Sequence, residues 1–435
     1  MLDVLANPIY RHLFLAQVIA LLGTGLATVA LSLLAYELAQ DEAGVVLGTA
    51  LTIKMLAYVF IAPLASALIR SLPRRKVLIT LDLIRAGVAL FLPFVTEVWQ
   101  VYWLIFILQS ASACFTPLFQ ATIPEVLPDE DQYTHALSLS RLAYDLENLL
   151  SPTLAAVLLA LMTWHGLFAG TVLGFAASAL LVLSVTLPVG RSQTMQKSGI
   201  YQQTTRGIRF YVATPRLRGL LAMNVAVTAA GAMVIVNTVV LVQAQFGLNE
   251  QSTALALACF GGGSMLAALS MPALLKRLRD RTVMLLATLL LVVGLFTASL
   301  VESLNGLLAV WVWLGIGYAL VQTPSGRLLT RSSHPEDRPD LFAAQFSLSH
   351  ACWLLAYPLA GWLGVKIGLP LTFILFATAA LLALIATLLL WPADDPSELT
   401  HRHDALPENH PHLAGKGQKH THPYVIDELH MRWPK

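Results

Sequence analysis

The chain has 435 residues, 57% of them hydrophobic and only 12% charged, with a mean hydropathy of +0.69. A soluble globular chain carries about 25% charged residues, and the 27 Lys and Arg plus 25 Asp and Glu found here cannot coat a globule of this size. The composition excludes a soluble enzyme, a nucleic-acid binder and a disordered scaffold, and it points to a polytopic membrane protein; the net charge of +2 says little about partners.

Apolar stretches follow one another at roughly 14–38, 44–69, 77–96, 100–123, 137–163, 166–187, 218–243, 252–275, 282–300, 305–329, 341–364 and 369–391. Each is long enough to cross a bilayer as a helix. The first has no basic segment before it, so it is read as a span and not a cleaved signal. Alternate connections differ sharply in charge. One side holds Arg11, the Arg70 to Lys76 group, the Arg191 to Arg218 group, the Lys276 to Arg281 group, then Arg327, Arg331, Arg338 and the C-terminal tail. The other side holds Lys366 with Asp41, Glu42, Glu97, Glu250 and Glu302. Basic loops stay in the cytoplasm during insertion, which places both termini there and makes the span number even.

The connection at 188–217 divides the chain, and its Ile200–Tyr211 stretch has the mixed character of a short amphipathic helix lying on the membrane interface. The flanking parts repeat. Gly23 and Gly231 are 208 apart, Pro63 and Pro272 209, Thr116-Pro117 and Thr323-Pro324 207, Ser138 to Arg141 and Ser347 to His350 209, Pro152 and Pro358 206. The expected architecture is an all-α membrane protein of twelve transmembrane helices in two six-helix parallel repeats. The halves are 1–187 and 218–391, with a central loop at 188–217 and a tail at 392–435. Two halves facing each other enclose a hollow that opens to either side in turn. The protein is expected to act as a monomer in the lipid bilayer.

Charges inside spans are costly and usually face a cavity or a partner. Lys54 lies in span two, Asp82 and Arg85 in span three, and Arg141, Asp145 and Glu147 in span five. His350 stands in span eleven where the repeat places Arg141. Arg141 and Asp145, four apart, share a helix face and can pair. Glu147 lies about 200° around from Asp145 and looks elsewhere, with Lys54 as a candidate partner. A carboxylate in a cavity can exchange a proton for a cation, because desolvation raises its pKa and a cation lowers it. The same residues also fit static pairs, a snorkelling lysine and a packing histidine. Cys114, Cys259 and Cys352 fall in apolar runs with no CxxC spacing and read as small buried hydrophobes.

The tail holds seven of the twelve histidines: His401, His403, His410, His412, His420, His422 and His430. Six form His-x-His pairs interleaved with Pro407, Pro411 and Pro423. Prolines disfavour helix, and in an extended chain both rings of a pair project to one side. Such a pair suits a divalent transition metal better than Mg²⁺ or Ca²⁺.

Leu21 to Ala30, Pro93 to Tyr102, Phe115 to Pro124 and Ala136 to Asp145, together with the tail, resemble NreB-type nickel-resistance exporters of the major facilitator superfamily. That resemblance implies a secondary transporter of the bacterial inner membrane. It would export Ni²⁺, with Co²⁺ or another divalent metal as further cargo, by proton antiport, with no bound cofactor and no enzymatic activity. One departure stands out: Arg70 and Pro73 occupy the places where the superfamily's loop signature has Asp and Gly, and Asp82 is a candidate substitute for the missing charge. The competing readings are export of an organic compound (a drug, macrolide or siderophore), which the scarcity of acidic residues in the spans favours, and a membrane metal sensor.

Overall fold

The computed structural model describes residues 2–39, 43–69, 72–188, 200–395, 398–402, 418–427, 429–430 and 433. The first part comprises α1 (Pro8–Ala39), α2 (Ala43–Ile69), α3 (Arg74–Phe91), α4 (Val98–Val126), α5 (Glu130–Leu159) and α6 (His165–Leu183). After α7 (Ile200–Ala213) come α8 (Pro215–Val239), α9 (Glu250–Leu275), α10 (Asp280–Ala298), α11 (Leu304–Gln322), α12 (Ser325–Arg331), α13 (Arg338–Ile367) and α14 (Leu369–Leu390). Among the described residues, eleven segments are long and apolar enough to cross a membrane. The remaining long helix is α5, whose 30 residues carry Arg141, Asp145 and Glu147, and it completes the twelve.

The packing repeats as the sequence does. Helix α1 packs on α5 and α6, and α8 on α13 and α14; α2 packs on α4, and α9 on α11; α3 packs on α4 and α6, and α10 on α11 and α14. The halves meet along two seams, α5 against α9 and α13 against α2. Pro63, Pro272 and Pro358 all sit inside continuous helices, as membrane helices tolerate when neighbours satisfy the freed backbone groups. The repeated Thr-Pro pair behaves differently in the two copies. Pro117 lies within α4, whereas Pro324 separates α11 from α12. There the Ser325 hydroxyl donates to the Gln322 carbonyl at 2.6 Å, capping a group that the interrupted helix leaves free. A single residue, Gly368 at φ +82°, joins α13 to α14, a left-handed conformation that glycine adopts without strain.

Both described termini lie at the basic end of the bundle. Asp3 approaches His135 of α5 at 3.1 Å, and Arg281 donates to the Trp391 carbonyl at 3.1 and 3.0 Å. Ion pairs tie the halves at that end: Lys276 to Asp131 at 3.6 Å, and Arg327 to Glu130. The amphipathic helix expected in the central loop is α7. It packs on α13, α2 and α8, with Tyr211 fully buried and donating to Gln345, and with Arg206 paired to Asp337 at 2.9 Å. Gly207 permits this contact, since a Cβ there would lie 2.2 Å from the Asp340 carbonyl oxygen.

The tail adds a short antiparallel strand pair to the helical fold, β1 (Glu398–Arg402) and β2 (Lys419–Pro423), with His401 opposite His420. Tyr424, Val425 and Ile426 come directly after β2 and are buried, two of them in the second half's core.

Candidate transport site

Four residues from both halves meet on the α5–α9 seam. Arg141 and Asp145, one turn apart on α5, form a two-point ion pair, with Arg141 Nε 3.2 Å from Asp145 Oδ2. Ser264 of α9 completes a triangle: its hydroxyl donates to Asp145 Oδ2 at 2.6 Å and accepts from Arg141 Nε at 3.0 Å. The Arg141 guanidinium lies 4.8 Å from the centre of the Tyr318 ring on α11. Asp145 is 3% exposed and Ser264 0%. Ser264 and Tyr318 carry no charge, so the rule that misplaced charges mark a site does not single them out. Their neighbours give a faint signal in the run Gly261 to Gly263. A Cβ at Gly263 would lie 2.2 Å from the Val312 carbonyl oxygen, and one at Gly315 2.0 Å from that of Phe260. Backbone contact between α9 and α11 therefore fixes where Ser264 and Tyr318 stand.

Glu147 looks the other way, into the first half. One of its oxygens lies 2.9 Å from where a Cβ on Gly25 of α1 would be, beside Ser151 at 2.0 Å. Gly25 thus opens the space that Glu147 and Ser151 fill. Lys54 of α2 lies within electrostatic range of Glu147 and 5.6 Å from the Tyr58 ring centre. Gly231 faces Trp353 of α13, whereas Gly23 packs on α6.

The α2–α13 seam is aromatic. Tyr58 stands 4.9 Å from Phe346 and 4.8 Å from His350, and its hydroxyl donates to Gln109 of α4 at 2.9 Å. His350 Nδ1 is 2.7 Å from the Phe346 carbonyl oxygen one turn back. Ser347 donates to the Val59 carbonyl, and Ser66 to Asp340, both across the seam.

Asp82 and Arg85 pair with each other inside the first half. Asp82 accepts from Ser178 of α6 at 2.8 Å, and the Arg85 guanidinium lies between Phe115 and Phe175, 4.1 and 4.5 Å from their ring centres. These contacts hold three helices of one half together. Asp82 does not replace the charge missing from the loop signature: that end of the half is closed by Arg74 and Glu125, 2.5 Å apart. The second half has the reverse polarity at its matching helix start, where Asp280 pairs with Arg327 at 3.1 Å.

In the tail, His420, His422 and His430 come together, with ring centres 5.1 Å apart for His420–His422 and 5.2 Å for His422–His430. His430 Nδ1 lies 2.9 Å from Asp427, and His334, in the α12–α13 connection, lies 3.4 Å from the other Asp427 oxygen. Among the described residues no group of three or more His, Cys, Asp or Glu is arranged to hold a metal ion. His403, His410 and His412 lie outside the described residues, and of His401 only the backbone is described.

Two matching six-helix units, inverted in neither copy and meeting along two seams with buried polar residues between them, define a major facilitator transporter. The chain belongs to the transmembrane secretion effector family of that superfamily, which matches residues 2–326. It is similar to two proteins named macrolide efflux protein A: that of Enterococcus faecalis, 29% identical over 152 residues, and that of Streptococcus pyogenes, 27% over 167 residues. The matched stretches cover 33% and 37% of this chain and less than half of those proteins, 47% and 41%. In fold it is similar to the human organic anion transporter MFSD10 (TM-score 0.77, 15% identity, covering 87% of this chain and 99% of that one). It is also similar to a bacterial homologue of the iron transporter ferroportin in an outward-facing state (TM-score 0.75, 14% identity, 88% and 99%).

Proposed function

We propose that this protein is a secondary transporter that exports an organic compound across a bacterial inner membrane, with Glu147 as the carboxylate that exchanges the coupling proton. The observation that carries the reading is the placement of Glu147. It is a carboxylate seated at the Gly25 gap between α1 and α5, within range of Lys54 and away from the ion pair on the opposite face of its own helix. The rings near it and along the seams, Tyr58, Phe346, Tyr318 and Phe260, offer flat apolar contact to an organic molecule. The partial likeness to macrolide efflux proteins supports the same class of cargo. The basic end carries both described termini and faces the cytoplasm by the charge rule of insertion. The halves meet there through ion pairs, Lys276 to Asp131 and Arg327 to Glu130.

A second reading, export of Ni²⁺ or a related divalent metal, is favoured by the tail, where His420 stacks on His422 and His430 meets His422 edge-on, in and beside β2. Cells producing the protein separate the two. Reduced accumulation of a macrolide or an amphipathic dye, with unchanged nickel content, supports the first reading. Lowered nickel with unchanged accumulation of every organic probe overturns it in favour of the second. Glu147→Gln should abolish pH-gradient-driven export in proteoliposomes while leaving the protein inserted, because an amide cannot exchange a proton; full activity in that variant removes Glu147 from the mechanism.

A further inference from the structure

Lys54 and Tyr58 are one turn apart on α2 and share a face of that helix. The Lys54 ammonium stands 5.6 Å from the centre of the Tyr58 ring, near the outer limit of about 6 Å at which a ring face attracts a cation. Glu147 of α5 and His350 of α13 both lie within electrostatic range of it. The ring itself is held: its hydroxyl donates to Gln109 at 2.9 Å, Phe346 lies 4.9 Å away, and His350 meets it at right angles at 4.8 Å. An aromatic face with a carboxylate near it is a setting in which proteins bind an organic ammonium, the ring supplying the contact and the carboxylate the charge. Here the cation in that setting is the protein's own, and its hold is loose. A flexible four-carbon stem carries it, and both attractions act at a distance. Arg85 shows what a fixed structural cation looks like in the same half: it is paired to Asp82 and lies 4.1 and 4.5 Å from two ring centres.

We propose that Lys54 is a stand-in for the cargo and the residue that sets its charge: the exported compound carries an organic ammonium, which takes the place of the Lys54 ammonium at the Tyr58 ring and Glu147. This rests on the organic-efflux reading and names its substrate class. A proton leaving Glu147 and an ammonium arriving there balance the same negative charge, so a cationic cargo is the one that a proton-exchanging carboxylate serves. Lys54 swings aside on its stem as the cargo seats. It remains close enough to oppose a second positive charge, which keeps binding weak enough for release.

The test uses two probes on one aromatic skeleton, diphenylhexatriene and its trimethylammonium derivative, a permanent cation. Binding to the full chain in detergent is read as energy transfer from tryptophan to probe, with empty micelles as the blank. The unmodified chain should bind the charged probe more tightly than the uncharged one. Lys54→Met should tighten binding of the charged probe roughly tenfold and leave the uncharged one within about twofold, while Lys54→Arg keeps the original preference. Tyr58→Leu should weaken the charged probe selectively, and Tyr58→Phe, which keeps the ring, should not. A charged probe bound no better than the uncharged one by the unmodified chain, or an affinity for it unchanged or lowered in Lys54→Met, overturns the proposal. Should Lys54→Met fail to insert, the Tyr58 pair decides it: equal effects of Leu and Phe overturn the stand-in. Export assays are separate. Binding as expected in a protein that exports no organic probe overturns the efflux reading alone, and export that favours the uncharged probe overturns the stand-in alone.

Discussion

The two seams between the halves are built by equivalent helices, and the residues at matching positions in them hold by different chemistry. On the α5–α9 seam the contact is ionic: Arg141, Asp145 and Ser264 satisfy one another in a buried triangle. On the α2–α13 seam the residue in Arg141's place is His350, which meets the rings of Tyr58 and Phe346, with hydrogen bonds from Ser347 to Val59 and from Ser66 to Asp340 beside them. Hydrogen bonds to charged groups weaken steeply with angle and distance, whereas contacts between apolar surfaces are non-directional and change gradually as the surfaces slide. The comparison teaches that duplication sets where the halves touch, while local chemistry decides whether a contact latches or slides.

The largest effect that tests this contrast is the loss of Arg141. Arg141→Met leaves Asp145 buried with its charge uncompensated and should destabilise the protein by about 3–5 kcal/mol, read as a fall in the midpoint of unfolding in detergent. His350→Phe keeps ring and volume on the other seam and should change stability by less than about 1.5 kcal/mol. Equal losses would mean that the seams do not differ in the way described. Next in size is Gly25→Ala, whose Cβ would stand 2.0 Å from Ser151 Oγ and 2.3 Å from Ser151 Cβ. Forcing α1 from α5 should cost about 1–3 kcal/mol and slow export by displacing Glu147. Gly48→Ala, with open space around it, is the control and should do neither.

Several of these features are legible in the residues and several are not, for physical reasons. Apolar length and the alternation of basic and acidic loops locate the helices and the basic end, since both are one-dimensional properties of the chain. The Arg141–Asp145 pair is implied by a four-residue spacing. The partners Ser264 and Tyr318 are not, because an uncharged hydroxyl in a span is commonplace until packing shows what it touches. The clasp of Phe115, Phe175 and Ser178 on Arg85 and Asp82 is equally three-dimensional, and it shows the buried pair binding three helices. The break at Pro324 cannot be read from its dipeptide, because the same Thr-Pro pair runs through α4 unbroken. The two copies differ in the next residues along the chain: Ser325 caps the break, and Gly326 lies where a Cβ would meet Tyr133 at 2.7 Å.

A smaller effect concerns the reversed pairs at the basic ends of the halves. Arg74→Glu should repel Glu125 and cost about 1–2 kcal/mol, and the double exchange Arg74→Glu with Glu125→Arg should recover most of it, since contacting residues couple by about 0.5–3 kcal/mol. Unfolding midpoints of the two single and one double variant give the coupling. No recovery would mean that the direction of the pair matters in the first half, and that the reversed polarity in the second is not equivalent.

The smallest effect is at the tail, where Asp427 of the tail meets His334 of the second half. Asp427 is raised by burial, but hydrogen bonds from His334 and His430 outweigh this and hold it well below the usual carboxylate range. The hydrogen bond to Asp427 in turn raises His334 above its ordinary value, against a smaller opposing effect of burial. The His334 contribution to docking is complete below about pH 6.5 and fades as pH climbs through the raised value; that of Asp427 is complete above about pH 4 and fades on further acidification. The tail should therefore be held most firmly between about pH 4 and 6.5, and amide exchange across residues 418–427 should quicken more at pH 8.5 than the intrinsic rate predicts. Asp427→Asn should flatten that dependence without freeing the tail, because the buried Tyr424, Val425 and Ile426 and the Arg331–Asp395 pair at 2.5 Å remain. His334 also lines a cleft of about 790 Å³ that reaches Glu130 and Arg327, the pair joining the halves, so a tail that detaches in the Asn variant would show that one carboxylate, and not the buried segment, fastens this end.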